Sequence, residues 1–117
     1  MNRMKNQQRA AFKCGNRTVI VQLHELEWLE AQRDYVLLHV GKENYLIRAT
    51  MSHMQERLDP RVFCRIHRSA IVNINHMKEV KTEAAGEASV VLQDGTTLPL
   101  GRGYRRPLFE VVASMSK

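Results

Sequence analysis

The stretch RVFCRIHRSAIVNIN, residues 61–75, alternates apolar and polar side chains over most of its length. Alternation with a period of two indicates a β-strand with one buried face. The polar positions are rich in hydrogen-bond donors, namely Arg61, Arg65, His67, Arg68, Ser69 and Asn73. Catalysis, metal binding and nucleic-acid binding would each use such donors, and each needs different companion residues elsewhere in the chain.

The length of the chain, 117 residues, predicts one domain with its own hydrophobic core. Its two cysteines, Cys14 and Cys64, form no close pair, so we interpret both as thiols. No apolar run approaches the roughly 20 residues that a membrane-spanning helix needs. The first residues also lack the apolar centre of a secretory signal. These features predict a cytoplasmic globular protein without a membrane segment.

The net charge of +6 is concentrated near the amino terminus. Residues 1–17 carry five basic side chains and no acid, which leaves 13 basic and 12 acidic side chains in the remaining 100 residues. Within that nearly neutral part, residues 60–78 and 95–109 are basic and free of acids. We predict that residues 1–11 are a flexible basic leader or linker remnant, and that residues 12–117 form the folded domain.

The pattern along the chain is predominantly β. Runs rich in β-branched or alternating apolar residues predict strands at 18–23, 28–31, 35–40, 44–49, 71–74, 89–93 and 96–100, and a further strand begins at residue 80. Asp94 and Gly95 join the last two of these strands. This dipeptide predicts a two-residue type I′ turn, which needs a positive φ at both positions.

Two short helices complete the prediction. Met51, Met54 and Leu58 share one face of a helix that Thr50 caps and that ends before Pro60. A second helix, at 104–115, has its apolar stripe at Leu108, Val111, Val112 and Met115. The sequence therefore predicts a mainly β fold of antiparallel sheets with two short helices.

The quoted stretch could also hold a nucleophile and a base, because His67 and Ser69 share one face of a strand and Cys64 lies nearby. No glycine-rich nucleophile turn, paired carboxylates or acidic orienting residue accompanies them, so we predict no catalytic residues. Cys64, His67 and His76 match no four-ligand metal spacing. The sequence therefore predicts neither a metal site nor a cofactor.

The arginine-rich segments fit nucleic acid better. Aromatic residues make up 6% of the chain and are scattered, which disfavours a stacking platform for single strands. The GRG at 101–103 lacks the length and the lysine of a phosphate-binding loop. Arginines on turns can pair with guanine edges or with phosphates of double-stranded DNA. The alternative for each arginine is a solvated or ion-paired surface side chain.

Several segments resemble the LytTR DNA-binding domain, the output module of many bacterial response regulators. FCRIHRSAIVN at 63–73 is similar to the family's F-x-R-x-H-R-S-x-x-V-N core. WLEAQRDYVLLHV at 28–40 resembles its apolar-E-A-x-x-x-Y-V-x-L-H segment, and YLIRATMSHMQERLD at 45–59 resembles its Y-x-x-R-x-T-L-x-x-L-x-x-L-D helix. LQDGTTLPLGRGYRRPL at 92–108 resembles its D-G-x-x-L-P-V-S-R-x-Y ending.

The resemblance implies an elongated β-β-β arrangement of small antiparallel sheets that inserts loops, and no recognition helix, into DNA. Two loops would enter successive major grooves, and a further loop would cover the minor groove between them. Arg33 and Arg102 would read bases, whereas Arg68 and Arg105 would contact phosphates or the minor groove. The same loops hold the remaining DNA-binding candidates, Gln32, Asp34, His67 and Ser69.

Two positions depart from the family pattern. Ala70 stands where an aromatic residue is usual, which predicts looser packing behind the His-Arg-Ser turn. Gly101 stands where a serine is usual, which removes a hydroxyl from a loop expected to face DNA.

The resemblance also implies the partners. The protein would be a transcription regulator of a bacterial two-component system that binds double-stranded DNA at direct repeats. It would be a monomer in solution that pairs with a second copy on DNA, controlled by an upstream receiver domain or by a regulatory partner. The alternative is a protein-interaction module whose basic tail binds polyanions without sequence preference.

Overall fold

The computed structural model describes residues 8–115 and arranges them in three antiparallel sheets and two helices. The molecule measures 47 × 31 × 25 Å, so the elongated, mainly β arrangement is confirmed. The strands are β1 (Arg9–Cys14), β2 (Arg17–Gln22), β3 (Leu26–Gln32), β4 (Tyr35–Val40), β5 (Glu43–Arg48), β6 (Phe63–His67), β7 (Ala70–Asn73), β8 (Met77–Thr82), β9 (Ala88–Leu92) and β10 (Thr97–Leu100). The helices are α1 (Met51–Arg57) and α2 (Arg105–Ala113), and single-turn 3-10 helices cover Leu23–Glu25, Ile74–His76 and Arg102–Tyr104.

The first sheet is the hairpin of β1 and β2, and its first strand, which was not predicted, begins before the predicted domain boundary at residue 12. Residues 9–11, assigned above to a flexible leader, belong to β1. Ala10 and Phe12 alternate with exposed residues and are buried in a hydrophobic core. Burial of this face offsets the entropy lost on ordering the segment. The rest of the predicted leader, residues 1–7, lies outside the described residues.

The central sheet has five strands in the order β5-β4-β3-β7-β6 and separates two hydrophobic cores. Ile71 of β7 belongs to the first core, whereas Ala70 and Val72 belong to the second, because successive side chains of a strand point to opposite faces. The first core is covered by the β1–β2 hairpin and α1, and the second by the third sheet and α2. All four residues of β7 are buried as a result.

The third sheet has the order β10-β9-β8, and the turn between β9 and β10 is not of type I′. Gly95 has a positive φ of 93°, but Asp94 does not. The Gly95 amide donates to the Leu92 carbonyl over 2.9 Å, and the Leu92 amide donates to the Thr96 carbonyl over 2.8 Å. This pattern makes a three-residue loop that ends on a left-handed glycine. The Asp94 carboxylate favours the longer loop because it accepts the Thr96 amide over 2.9 Å.

Both predicted helices are present. Thr50 Oγ1 accepts the His53 amide over 3.0 Å, which confirms the cap of α1. In α2, Leu108 is fully buried, but Met115 lies beyond the end of the helix and is 50% exposed, so the predicted stripe is wrong at its last position. No helix within residues 8–115 is long and apolar enough to cross a bilayer.

Candidate nucleic-acid interface

Two of the predicted DNA-contacting turns lie side by side at one end of the central sheet. β3 ends at Gln32, β7 begins at Ala70, and the two strands are antiparallel neighbours. The Ala31 amide donates to the Ser69 carbonyl over 3.0 Å, which joins the β3–β4 turn to the β6–β7 turn. The structure thus brings together six predicted site residues: Gln32, Arg33, Asp34, His67, Arg68 and Ser69.

The third predicted loop adjoins the second. A bulge interrupts the pairing of β6 with β7 between Arg65 and His67. Beside it, the Ile66 carbonyl accepts the Gly101 amide over 2.8 Å. Gly101 precedes the 3-10 helix that carries Arg102, so this bond fixes the start of that helix next to the β6–β7 turn. We name the three joined segments, residues 32–34, 67–69 and 101–103, the basic edge.

Arg33 has a backbone conformation that residues other than glycine rarely adopt. Its φ is 58°, and within residues 8–115 no other non-glycine residue has a positive φ. Two other two-residue hairpin turns have a glycine at their first position, Gly15 at φ 63° and Gly41 at φ 60°. A side chain in this region costs about 1 to 2 kcal/mol. The β3–β4 turn therefore carries an arginine where its geometry favours glycine.

The His67 ring is tied to the turn that follows it. Its Nδ1 lies 2.9 Å from Ser69 Oγ and accepts the Ser69 amide over 3.2 Å. Because Nδ1 accepts this proton, the neutral ring carries its own proton on Nε2, which remains available as a donor. Arg68 is exposed at the tip of the same turn.

The two predicted arginines of the third segment differ in their contacts. Arg102 is exposed. Arg105 begins α2, and its Nη2 donates to the Gly86 carbonyl in the β8–β9 loop. The Nε of Arg105 is buried and has no hydrogen-bond partner among the described residues. The structure therefore holds the Arg105 guanidinium against the third sheet, whereas Arg102 extends the basic edge.

The geometry around Cys64 disfavours the nucleophile-and-base alternative. The side chain lies in the second core, where burial raises the pKa of the thiol, and a raised pKa disfavours the reactive thiolate. His67 is engaged by Ser69 within its own turn. Residues 8–115 contain no group of three or more His, Cys, Asp or Glu side chains that could hold a metal ion.

Comparison with known families identifies this architecture. A family profile described as the LytTr DNA-binding domain matches residues 16–113. The chain belongs to the LytTR family. A solved LytTr DNA-binding domain from Bacillus cereus shares its fold with a TM-score of 0.79 at 19% identity, and the match covers 92% of this chain and 98% of that one.

Longer LytTR relatives are regulators of bacterial origin. The transcriptional regulatory protein BtsR of Escherichia coli (strain K12) is 29% identical over 113 residues, covering 92% of this chain and 46% of BtsR. The sensory transduction protein LytT of Bacillus subtilis (strain 168) is 24% identical over 107 residues, covering 92% of this chain and 44% of LytT. The chain thus spans less than half the length of either relative.

The structure shows what packs against Gly101 and Ala70, the two positions that depart from the LytTR pattern. Gly101 has a φ of −67°, which suits any residue, but a Cβ there would lie 3.0 Å from Cδ2 of Tyr104. A serine would therefore require the Tyr104 ring to shift. Ala70 is 4% exposed, and the second core covers its small side chain.

The sequence analysis did not identify two residues that lie beside the basic edge. Tyr35 begins β4 directly after the Arg33 turn and pairs with Arg48, the last residue of β5. The guanidinium carbon of Arg48 lies 5.9 Å from the centre of the Tyr35 ring, within the range of a cation–π contact. Both residues are exposed and extend the edge toward β5. The signal was available, because counting back from the Gly41 turn places these two residues opposite each other.

Proposed function

We propose that this LytTR domain is a sequence-specific transcriptional regulator that contacts double-stranded DNA through the basic edge. The observation that carries the proposal is a pair of backbone hydrogen bonds, Ala31 to Ser69 and Gly101 to Ile66. They join three segments that are far apart in sequence into one continuous edge. The exposed arginines of that edge are Arg33, Arg68 and Arg102.

Arg33 and Arg102 are the proposed base readers. A guanidinium can donate two parallel hydrogen bonds to O6 and N7 of guanine in the major groove. The strained backbone of Arg33 supports this role, because a glycine would fit the turn better unless the side chain is needed. Shorter hydrogen bonds would come from Gln32, Asp34, His67 and Ser69.

Arg68 and Arg105 are the proposed phosphate or minor-groove contacts. Arg68 is exposed at the tip of its turn and can approach a phosphate without rearrangement. Arg105 must first release the Gly86 carbonyl. We therefore expect Arg105 to contribute less to DNA affinity than Arg68.

Loops, and no recognition helix, would enter the grooves. The basic edge consists of two hairpin turns and a single-turn 3-10 helix. We propose that loops of the basic edge enter two successive major grooves and that a further loop covers the minor groove between them.

The proposal extends to the cellular setting. The names of the relatives, a transcriptional regulatory protein and a sensory transduction protein, support a role as the output domain of a cytoplasmic two-component regulator. In this role an upstream receiver domain or a regulatory partner would control the domain. Two copies would pair on direct repeats in DNA.

The proposal is tested by selecting bound duplexes from a randomised double-stranded library at about 150 mM salt, where electrostatic contacts are already weakened. We expect an enriched motif of two short elements about one helical turn apart. Recovery of no motif, with retention that vanishes when residues 1–7 are removed, would contradict the proposal. That result would favour a protein-interaction module whose basic tail binds polyanions.

Arg102→Ala tests the base-reading role on the selected duplex. We expect binding to weaken by about 1 to 3 kcal/mol, with relaxed preference at one base position. Competition between the selected duplex and single-base variants measures both effects. A variant that binds and discriminates as the wild type does would remove Arg102 from the base readers.

A further inference from the structure

The turn between β6 and β7 differs from the other two-residue hairpins. His67 pairs with Ala70, so Arg68 and Ser69 form the turn, and neither has a positive φ. The turns that begin with Gly15, Arg33 and Gly41 each have a positive φ at the first position. Two-residue turns without positive φ do not match the twist of the flanking strands and tend to splay them. The β6–β7 turn therefore needs support from outside its own backbone.

Arg65 supplies that support. Its Nε donates to the His67 carbonyl over 3.2 Å, and its Nη2 donates to the Arg68 carbonyl over 2.6 Å. The remaining terminal nitrogen, Nη1, donates to Oε1 of Gln55 on α1 over 3.1 Å. The planar guanidinium holds these donors in a fixed fork, which a lysine ammonium cannot reproduce. One side chain thus fixes two consecutive carbonyls of the turn and anchors them to a helix.

The support extends to the third segment of the basic edge. The bulge that follows Arg65 re-aims the strand at Ile66. The Ile66 carbonyl accepts the Gly101 amide, which precedes Arg102. A change in the geometry of residues 65–68 would therefore change the position of Arg102 as well as that of Arg68.

We infer that Arg65 is a positioning residue for sequence recognition: it holds the His67-Arg68-Ser69 turn and, through Ile66, the Arg102 segment in the arrangement that reads DNA. This inference rests on the proposed function. All three hydrogen-bonding nitrogens of the guanidinium, Nε, Nη1 and Nη2, are turned onto protein oxygens. We therefore expect Arg65 to act through the shape of the edge, with the phosphate contacts made by other side chains.

The test compares Arg65→Lys with Arg61→Lys. Both keep the positive charge, but Arg61 precedes β6 at the opposite end of the central sheet, where it is ion-paired with Asp59 over 3.1 Å. Dissociation constants are measured for the selected duplex and for an unrelated duplex of equal length. We expect Arg65→Lys to weaken specific binding about tenfold and non-specific binding less than about twofold, because charge sets the non-specific part. Arg61→Lys should leave both unchanged.

A second readout is the amide NMR spectrum of the free protein. Arg65→Lys should shift the resonances of Arg68, Ser69 and Gly101, since the bonds that orient their peptide groups are altered. Gln55→Ala should shift Arg68 and Ser69 less and lower the specificity ratio only about two- to threefold, because both bonds to the turn remain. Unchanged resonances at these positions in Arg65→Lys would contradict the inference.

Three other outcomes would overturn the inference that Arg65 is a positioning residue. If Arg65→Lys lowers both affinities equally, the residue serves folding alone, because loss of folded protein scales both constants together. If Arg65→Lys binds as the wild type does and Arg65→Gln weakens both duplexes with a smaller salt slope, Arg65 is a phosphate contact. If the wild type itself does not discriminate between the duplexes, the proposed function fails and the inference fails with it.

Discussion

The two ends of the central sheet use the same turn for different purposes. At one end, β4 and β5 are joined by Gly41 and Lys42, and at the other, β3 and β4 are joined by Arg33 and Asp34. The first residue of each turn has nearly the same φ, 60° for Gly41 and 58° for Arg33. The Gly41 end uses the residue that the geometry favours. The Arg33 end keeps a long cationic side chain despite the backbone strain.

The two ends of the central sheet also differ in the charged side chains that surround their turns. Arg48, Arg68 and Arg102 lie at the same end as Arg33. The backbone hydrogen bonds from Ala31 to Ser69 and from Gly101 to Ile66 hold the segments at this end together. The opposite end carries both signs of charge, with Glu25, Glu43 and Asp59 alongside Lys42 and Arg61, and Arg61 is paired with Asp59. Its internal support is the buried Asn73, whose amide donates to the Leu26 carbonyl over 3.0 Å. Under the proposed function, the Arg33 end would face the anionic DNA backbone, whereas Asn73 and the Arg61–Asp59 pair of the opposite end are bonded within the protein.

The largest expected effect comes from Arg33→Gly. Removing the base-reading guanidinium should weaken specific DNA binding by about 1 to 3 kcal/mol. The free energy of unfolding should stay constant or rise, because glycine relieves the strain at φ 58°. Urea denaturation and a binding titration measure the two quantities separately. A loss of stability together with unchanged binding would show that Arg33 is structural.

The reciprocal variant, Gly41→Arg, should affect stability alone. A side chain at φ 60° should lower the free energy of unfolding by about 1 to 2 kcal/mol. Among residues 8–115, and apart from the two chain neighbours of Gly41, no atom lies within 4 Å of a Cβ at this position, so the loss reflects backbone strain without a clash. Affinity for the selected duplex, measured well below the melting temperature, should match that of the wild type. Weaker binding by folded protein would mean that DNA also reaches this end.

A smaller effect is expected for Arg68→Gln, with Lys42→Gln as its matched control. Both variants remove one exposed positive charge from a two-residue turn. Arg68→Gln should weaken binding to all duplexes alike and lower the salt slope by about 1, because one phosphate contact is lost. Lys42→Gln should leave the salt slope unchanged. Equal slopes for the two variants would remove the distinction between the ends of the sheet.

The smallest effect concerns Asp94, in the β9–β10 loop. Hydrogen bonds from Thr96 lower the pKa of this carboxyl below its usual value. A lowered pKa in the folded state means that the contribution to stability is present above the unfolded pKa and is lost as the pH falls through the folded pKa. Asp94→Asn should therefore flatten the acid limb of the stability curve slightly. A carboxyl NMR titration with a midpoint at or above the usual value would contradict this account.

Local signals account for the elements that the sequence predicted well. The strand Tyr35–Val40 and the Thr50 cap of α1 depend on neighbours within a few residues, and both are confirmed. The strand β1 (Arg9–Cys14) was not predicted, because its order depends on pairing with β2 and on burial of Ala10 and Phe12. The prediction of a type I′ turn between β9 and β10 was wrong because the Asp94 side chain stabilises a longer loop.

The residues of the basic edge could be predicted from the sequence, but the hydrogen bonds that hold them in place could not. The family resemblance named Arg33, Arg68 and Arg102, which the structure places on one edge. It also named Arg105, whose guanidinium is held by the Gly86 carbonyl, a contact between residues 19 positions apart. The bonds from Arg65 to the turn were not predictable, since the direction of a long side chain depends on Gln55, a neighbour supplied by α1.

An NMR titration of the protein with its selected duplex tests the central claim most directly. The account predicts that amide resonances of residues 32–35, 67–70 and 101–103 shift on binding. It also predicts that those of residues 41–43, at the other end of the same sheet, do not shift. Shifts concentrated at residues 41–43, or an absence of shifts along the basic edge despite saturation, would contradict the claim that this edge reads DNA.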